Sequence, residues 1–502
     1  MPTLYLINPD CSCPQYYGAE VVAEHTGTRL AAIADLAITT VAALARPYFE
    51  VRLADEGIAH ADLSLRPDWV GLTGKVSQVP RMLELARHYR AHGSKVIMGG
   101  PFASMSPETV RPYCDVLIQG EMEEIGPELF RALAQGHPKS SYLGTRPGLE
   151  LSPLPAWDLY PNAYGLVGSL QTSRGCPFEC EFCDVIQYLG RKQRFKPVEN
   201  VLAELDLLYR CGYRRVLLCD DNFTVNRGRA KELVSALADW NAVRPAGRVS
   251  FMTQGSIDVA RDDELLRLMA EAGLNQIFVG VETPHQASLK ETKKVQNVGL
   301  DLHERLQRIV AHGITVEAGC VVGFDSDPAE IFDIQRDFWM GSCVPNVKVS
   351  NLVALESTPL YARVQREGRL LDPSLVASSP WTANIQPLHH SRGEFEDRVR
   401  TLCDQLYEPE AFGDRLEQFA SVVGQSYQPL QARPSQGPIS EALKAWMRTF
   451  SKLRTLEPKL WKRTEDLVVR YPRSSSSLAM QLVQFMQQRA ILRDNPTVLA
   501  VS

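Results

Sequence analysis

Cys176, Cys180 and Cys183 stand in the segment SRGCPFECEFCD with the spacing C-x3-C-x2-C. Three thiolates suit a 4Fe–4S cluster whose fourth iron has no protein ligand and stays open to an exogenous chelator. A structural zinc site is the alternative, but zinc wants four ligands. No neighbouring Cys or His completes the set, and Cys211 follows only 28 residues on, inside a predicted helix. Gly175, Pro177 and Glu181 make the segment a polar, turning loop rather than core, and the aromatic Phe182 falls between the second and third ligands. Cys219 and Cys320 lie within apolar runs and read as ordinary core residues.

Further polar residues end apolar runs. Asp220, Asp221 and Asn222, in CDDNFTVN, either face a site or form a strand-ending turn. Gln254 and Ser256 are two apart and share one face of a strand, although Gln254 also fits a satisfied core position. Glu282, two residues after Gly280 in FVGVETP, is an acid at a strand end, costly to bury without a partner. Gly323 in VVGFDSD and Glu356 in NLVALESTPLY are weaker candidates. Nearer the N-terminus, three loops carry Thr73, Lys75 and Ser77; Gly99, Gly100 and Pro101; and Gly120 and Glu121. Their glycines permit close backbone approach, as to a ligand, and serve equally in plain turns.

The elements that would position these residues alternate. Within residues 1–140, strand-like runs at 3–8, 50–54, 69–73, 95–99 and 116–119 are separated by helical stretches such as 79–92. Continuous apolar strands between amphipathic helices predict a parallel sheet covered on both faces, a doubly wound Rossmann-like domain with ligands at the strands' carboxyl ends. Residues 141–167, rich in Pro and Gly, read as a linker. Residues 168–375 repeat the alternation, with strands near 169–172, 215–219, 249–254, 276–281, 315–322 and 348–354. Six units predict a partial (β/α)6 TIM-like barrel with its chemistry on the loops after the strands. Residues 376–502 read as mainly helical, with a Pro/Ser/Gln-rich interruption at 428–438, a polar loop at 473–477 and an amphipathic stretch at 479–492 that suits core or interface. The fold class is therefore α/β with a helical C-terminal region.

Composition narrows the function. A chain of 502 residues, 44% hydrophobic and 23% charged, has ample material for two or three cores. A net charge of −5 with no long basic run speaks against nucleic-acid binding. No apolar stretch reaches the ~18 residues of a membrane span. The N-terminus lacks the basic region of a secretory signal. Eleven cysteines in such a chain fit reduced thiols and a cytoplasmic setting better than a disulfide framework. No G-x-G-x-x-G follows the first strand, which counts against a nicotinamide dehydrogenase.

The cysteine spacing resembles that of the radical SAM superfamily. The run RGCPFECEFCD…GRKQRFKPVENVLAEL is similar to the subgroup with an N-terminal cobalamin-binding domain, most of all the members that include hopanoid methylases, and the match covers residues 1–375. The resemblance implies that Cys176, Cys180 and Cys183 hold the cluster and that its open iron binds S-adenosylmethionine. One electron from an external flavodoxin- or ferredoxin-type donor then yields methionine and a deoxyadenosyl radical. It implies that Glu282 and Gly280 position the adenosylmethionine, helped by Gln254, Ser256, Asp221 and Gly323. Thr73, Ser77, Gly99, Gly100, Pro101, Gly120 and Glu121 would hold cobalamin. The implied reaction is C-methylation of a small molecule or lipid. The alternatives are cyclisation, ring contraction or oxidation with the same cofactors, or a cobalamin-binding module with a vestigial barrel, against which the intact cysteine set argues. The family's D-x-H-x-x-G motif is missing, and His25 and His60 are the only histidines before His88. The resemblance therefore implies base-off cobalamin without a histidine below the cobalt, with Thr73, Lys75 and Ser77 on that side.

Overall fold

The computed structural model describes residues 1–371, 383–427 and 439–493. Its strands are β1 (Thr3–Asn8), β2 (Ala31–Ile33), β3 (Glu50–Asp55), β4 (Trp69–Thr73), β5 (Lys95–Gly99), β6 (Val116–Gln119), β7 (Ser141–Leu143), β8 (Gly165–Leu170), β9 (Ser173–Arg174), β10 (Arg194–Phe195), β11 (Arg215–Leu218), β12 (Ser250–Gly255), β13 (Leu274–Glu282), β14 (Thr315–Val322) and β15 (Val347–Asn351).

The first sheet is parallel with the order β3-β1-β4-β5-β6-β7. Its side chains alternate between two cores, as the period of a strand requires. Tyr5, Ile7, Val70, Val96, Met98 and Leu117 pack under the helix Val79–Ala91. Leu4, Leu6, Ile97, Val116 and Ile118 face the helices Leu36–Ala45 and Gly126–Ala134. The chain leaves β1 towards β3 on one side and β4 on the other. Such a switch opens a crevice at the strands' carboxyl ends, where doubly wound folds bind ligands.

The second sheet is also parallel, with the order β15-β14-β13-β12-β11-β8-β2. Six of its strands are the expected barrel. The seventh, β2, comes from the first 140 residues and pairs with β8, Ala31 opposite Gly165 and Ile33 opposite Val167. Its three residues are too few for periodicity to reveal. The segment read as a linker, 141–167, is likewise ordered: β7 adds to the first sheet, β8 begins at Gly165, and Trp157 is fully buried between them.

Among the described residues, five long helices lie C-terminal to the barrel: Arg392–Leu406, Pro409–Val422, Glu441–Leu456, Pro458–Arg470 and Ser475–Arg493. The 473–477 segment is a short 3-10 turn, Pro472–Ser474, followed at once by the last helix; its serine run forms that helix's first turn rather than a loop. The interruption at 428–438 and the boundary at 375/376 lie outside the described residues. Among the described residues no helix is long and apolar enough to cross a membrane.

Candidate active site

The cysteine loop leaves β9 and is closed at its base by the two-residue antiparallel ladder of β9 with β10. Gly175 takes φ +95°, and a Cβ there would meet the carbonyl oxygens of Lys192 at 2.7 Å and Gly190 at 2.9 Å. Only glycine suits that crossing. The Cys176 N–H donates to Gly190 O (3.2 Å) and that of Cys183 to Cys180 O (3.1 Å). Neighbouring elements hold the loop from outside. Gly175 N–H donates to Asp221 Oδ2 at 2.7 Å, and Glu181 N–H donates to Thr292 O at 3.0 Å. The Glu181 carboxylate is clasped by Arg363 at 2.9 Å.

The acids after β11 divide their work. Asp220 is buried and accepts from the Thr172 N–H, Thr172 Oγ1 and Ser173 Oγ, so it shapes the turn between β8 and β9. Asp221 holds Gly175 and borders the cavity described below; burial pushes its carboxyl up to about 6. Asn222 Nδ2 lies 2.6 Å from Ser256 Oγ and 4.0 Å from Cys176 Sγ, and Gln296 Nε2 lies 3.7 Å from Cys180 Sγ. Amide donors near thiolate sulfurs are among the levers that set a cluster's potential. Burial pushes the Cys183 thiol up to about 12 and also raises Cys176, so an uncompensated thiolate is unfavourable at both. Bound cationic iron would supply the compensation. Among the described residues no three His, Cys, Asp or Glu side chains converge on one metal ion. A cubane makes no such demand, because each thiolate binds a different iron.

Glu282 ends β13 in the left-handed backbone region, φ +64°, at a register shift against β14. A non-glycine residue there is strained by roughly 1–3 kcal/mol, and such strain concentrates at functional sites. Its carboxylate is 2.7 Å from Lys294 Nζ, the side chains being 9% and 13% exposed. Burial disfavours the Lys294 ammonium, but the carboxylate outweighs it and the group is held above its ordinary range. A Cβ on Gly280 would strike Glu282 Oε1 at 2.4 Å and Lys294 Nζ at 2.8 Å, so that glycine makes room for the pair.

One cavity of about 1680 Å³ runs from the carboxyl ends of the first sheet into the barrel. Thr73, Lys75, Ser77, Gly99, Gly100, Pro101, Gly120 and Glu121 border it on one side, and Asp221, Gln254, Glu282 and Glu356 on the other. No histidine is among its described lining residues. Gly100 has φ +88°, and a Cβ would meet Thr73 Oγ1 at 2.2 Å; Gly120 has φ +78°, 2.7 Å from Gly144 O. Both glycines are thus required by their turns. Ser256 and Gly323 lie off the cavity: Ser256 is engaged with Asn222, and Gly323 packs on Phe395 with its N–H on Asp327.

Glu121 borders the cavity but its oxygens are taken, by Arg174 at 2.6 Å and Arg194 at 2.5 Å. With Glu123, also 2.6 Å from Arg174, it clamps the first sheet to the cysteine loop. Sequence reasoning passed over these arginines, Lys294, Gln296 and the loop 9–19 after β1. That loop lays Tyr17 in the barrel, edge-on to Phe278 at 6.5 Å and under Lys348 Nζ at 4.4 Å. The KETKK run was the available signal for Lys294.

Residues 170–337 match a family profile described as the radical SAM superfamily, and residues 358–491 match one described as a domain of unknown function, DUF4070. The chain is 34% identical over 410 residues to an uncharacterized methyltransferase of Synechocystis sp., covering 80% of this chain and 76% of that one. It is 34% identical over 342 residues to the hopanoid C-2 methylase of Rhodopseudomonas palustris, covering 66% of this chain and 64% of the relative. The fold resembles that of TsrM from Kitasatospora setae, a radical S-adenosylmethionine methyltransferase solved with cobalamin and a [4Fe–4S] cluster. Its TM-score is 0.56 at 18% identity, over 79% of this chain and 85% of that one.

Proposed function

Since this chain belongs to the cobalamin-dependent radical SAM methyltransferases, we propose that it methylates an unactivated carbon of a hopanoid-like polycyclic lipid. In this reading residues 1–140 bind cobalamin and residues 168–375 bind the cluster and adenosylmethionine. The observation that carries it is the single cavity joining Gly100 and Ser77 to Glu282 beside the cysteine loop. A methyl donor and a hydrogen-abstracting radical must reach one carbon, and a shared chamber gives them that proximity. When bound, the cluster with adenosylmethionine supplies a radical, and cobalamin supplies a methyl group.

The chain's own residues hold and orient. Cys176, Cys180 and Cys183 would each hold one iron of the cluster. Glu282, made accessible by Gly280, accepts hydrogen bonds from the adenosylmethionine ammonium or ribose, and Gln254 reaches the same ligand. Thr73, Lys75 and Ser77, which line the first sheet's side of the cavity, would hold the cobalamin, with no histidine among the described lining residues to ligate its cobalt. Leu217, Phe278, Val321, Leu355 and Tyr17 give the barrel part of the cavity apolar walls suited to a lipid skeleton. Eleven cysteines, none of them in a disulfide, support a cytoplasmic setting.

The test is anaerobic turnover of a hopanoid by the reconstituted enzyme. The expected product is heavier by one methylene. Deoxyadenosine formation with no methylated hopanoid would remove the lipid reading.

A further inference from the structure

One surface helix carries two apolar stripes where folding needs one. Glu441–Leu456 turns Ala442, Ala445, Thr449 and Leu453 inward, all of them buried. That spacing of three and four residues is an ordinary core-facing stripe. A second stripe runs beside it through Leu443, Met447 and Phe450, with Ile439 just before the helix. Ile439 is 48% exposed, Leu443 39% and Met447 50%. Trp446 stacks on Phe450, ring centroids 5.9 Å apart, and Phe450 meets Trp461 of the helix Pro458–Arg470 at 5.1 Å. The helix thus gives small residues to the core and keeps most of its large apolar ones near the surface.

Cations border the second stripe. Residues 441–462 hold six, Lys444, Arg448, Lys452, Arg454, Lys459 and Lys462, against two acids, Glu441 and Glu457. All six cations are exposed. Lys444 pairs with Glu441 at 2.7 Å; the other five form no ion pair among the described residues. The next acids are Glu465, which accepts from the Trp461 indole at 2.7 Å, and Asp466. Arg463 and Arg470 are taken by Glu417, at 2.8 and 2.6 Å. The stretch 441–462 is therefore net positive in a chain whose net charge is −5.

We propose that this face docks on an anionic lipid bilayer, with Glu441–Leu456 lying in the headgroup plane. Leu443 and Met447 enter the acyl boundary, Trp446, Phe450 and Trp461 sit at headgroup level, and the cations meet lipid phosphates. A merely solvated helix needs the cations but not the exposed stripe. An acidic chain is repelled by an anionic surface unless it presents a local patch of opposite sign. The inference deepens the lipid reading above, on which its purpose rests. The helix packs on Glu20–Thr26, whose Glu20 and Ala23 border the cavity. A lipid drawn from the docked bilayer would start one helix away from the chamber.

The experiment is flotation of the whole protein with vesicles of phosphatidylcholine and phosphatidylglycerol in equal parts, against phosphatidylcholine alone. Wild type should float with the mixed vesicles at low salt, and less as salt rises. The variant Arg448→Gln/Lys452→Gln/Arg454→Gln should bind them about a hundredfold more weakly, at about fivefold for each cation. Leu443→Ser/Met447→Ser keeps every charge and should bind about tenfold more weakly. These side chains lie at the surface, so circular dichroism and iron content should match wild type. Equal flotation of all three proteins overturns the proposal, as does a wild type that stays off the mixed vesicles. Self-association that Leu443→Ser/Met447→Ser abolishes, without flotation, would overturn it in favour of a second copy. A wild type that does not float yet methylates a hopanoid supplied in detergent overturns the docking surface alone. One that floats but methylates no hopanoid supports the surface and removes the lipid substrate.

Discussion

Replacing Glu282 separates the two tasks assigned to its carboxylate. One is to pair with Lys294 in the resting protein; the other is to bind adenosylmethionine. Glu282→Ala leaves a Lys294 ammonium only 13% exposed and without its partner at 2.7 Å. Breaking a buried pair from one side costs about 3–5 kcal/mol. The alanine also inherits φ +64°. Glu282→Gly loses the same charge but relaxes the backbone, recovering about 1–2 kcal/mol. The two variants should therefore differ in thermal midpoint while binding adenosylmethionine equally poorly. Glu282→Gln keeps the shape and removes the charge. A charged hydrogen bond lost there is worth about 1.5–3 kcal/mol, or roughly ten- to a hundredfold in affinity. Equilibrium dialysis against labelled adenosylmethionine, with iron content as the control for the cluster, reads this directly. Lys294→Met should show the reverse, a larger thermal shift on adding adenosylmethionine, because the ligand ammonium then supplies the missing cation. Unchanged affinity in Glu282→Gln together with a lowered midpoint would refute the ligand role and leave the pair purely structural.

Replacing Cys176, Cys180 and Cys183 together by Ala should abolish both bound iron and deoxyadenosine formation; cleavage surviving in the triple variant would contradict the cluster assignment. Electron paramagnetic resonance of the cob(II)alamin form should show no nitrogen superhyperfine splitting from an axial imidazole, since no histidine is among the described residues lining the cavity. Asp55, beside the cavity, is pushed up to about 6 by burial and by Asp35. It thus binds a proton more tightly folded than unfolded. Its stabilising contribution is complete below the ordinary carboxylate range and is lost as pH rises through about 6. Asp55→Asn should flatten that part of the stability–pH curve, followed by urea midpoints; an unaltered slope would exclude the group.

What was legible in the sequence was local. The strands at 3–8, 69–73, 95–99, 116–119 and 315–322 stand where their apolar runs put them, because a strand buried on both faces must be continuously apolar. The cysteine loop was visible because its chemistry is compressed into eight residues. What escaped depends on partners far away in the chain. Glu121 looks like any loop acid until Arg174 and Arg194, more than fifty residues on, are placed beside it. Ser256 shares a strand face with Gln254 by periodicity, yet β12 ends at Gly255 and the chain turns Ser256 towards Asn222. Periodicity assigns a face only while the strand lasts.

The same long-range logic governs the inner end of the cavity. Arg215, Gln276, Glu317 and Lys348 stand near the starts of their strands, where a barrel would otherwise be packed with aliphatic side chains. Here Glu317 is fully buried and receives Gln276, Gln484 and, at 3.3 Å, Lys348. Gln484 belongs to the last helix, which also bonds Asn346 through Gln481 and reaches Gln15 and Glu20 through Gln487. That helix has polar residues on its buried faces, Gln481, Gln487 and Gln488 among them, because the floor it covers is itself polar. An aliphatic helix would leave those groups without partners, at a cost of about 1–3 kcal/mol each. By holding Gln15, the helix also fixes the loop that carries Tyr16 and Tyr17 into the barrel, where the Tyr16 hydroxyl donates to Val349 O. The last described helix, remote from the cysteines in sequence, thereby holds the loop and the polar floor that bound the barrel end of the chamber.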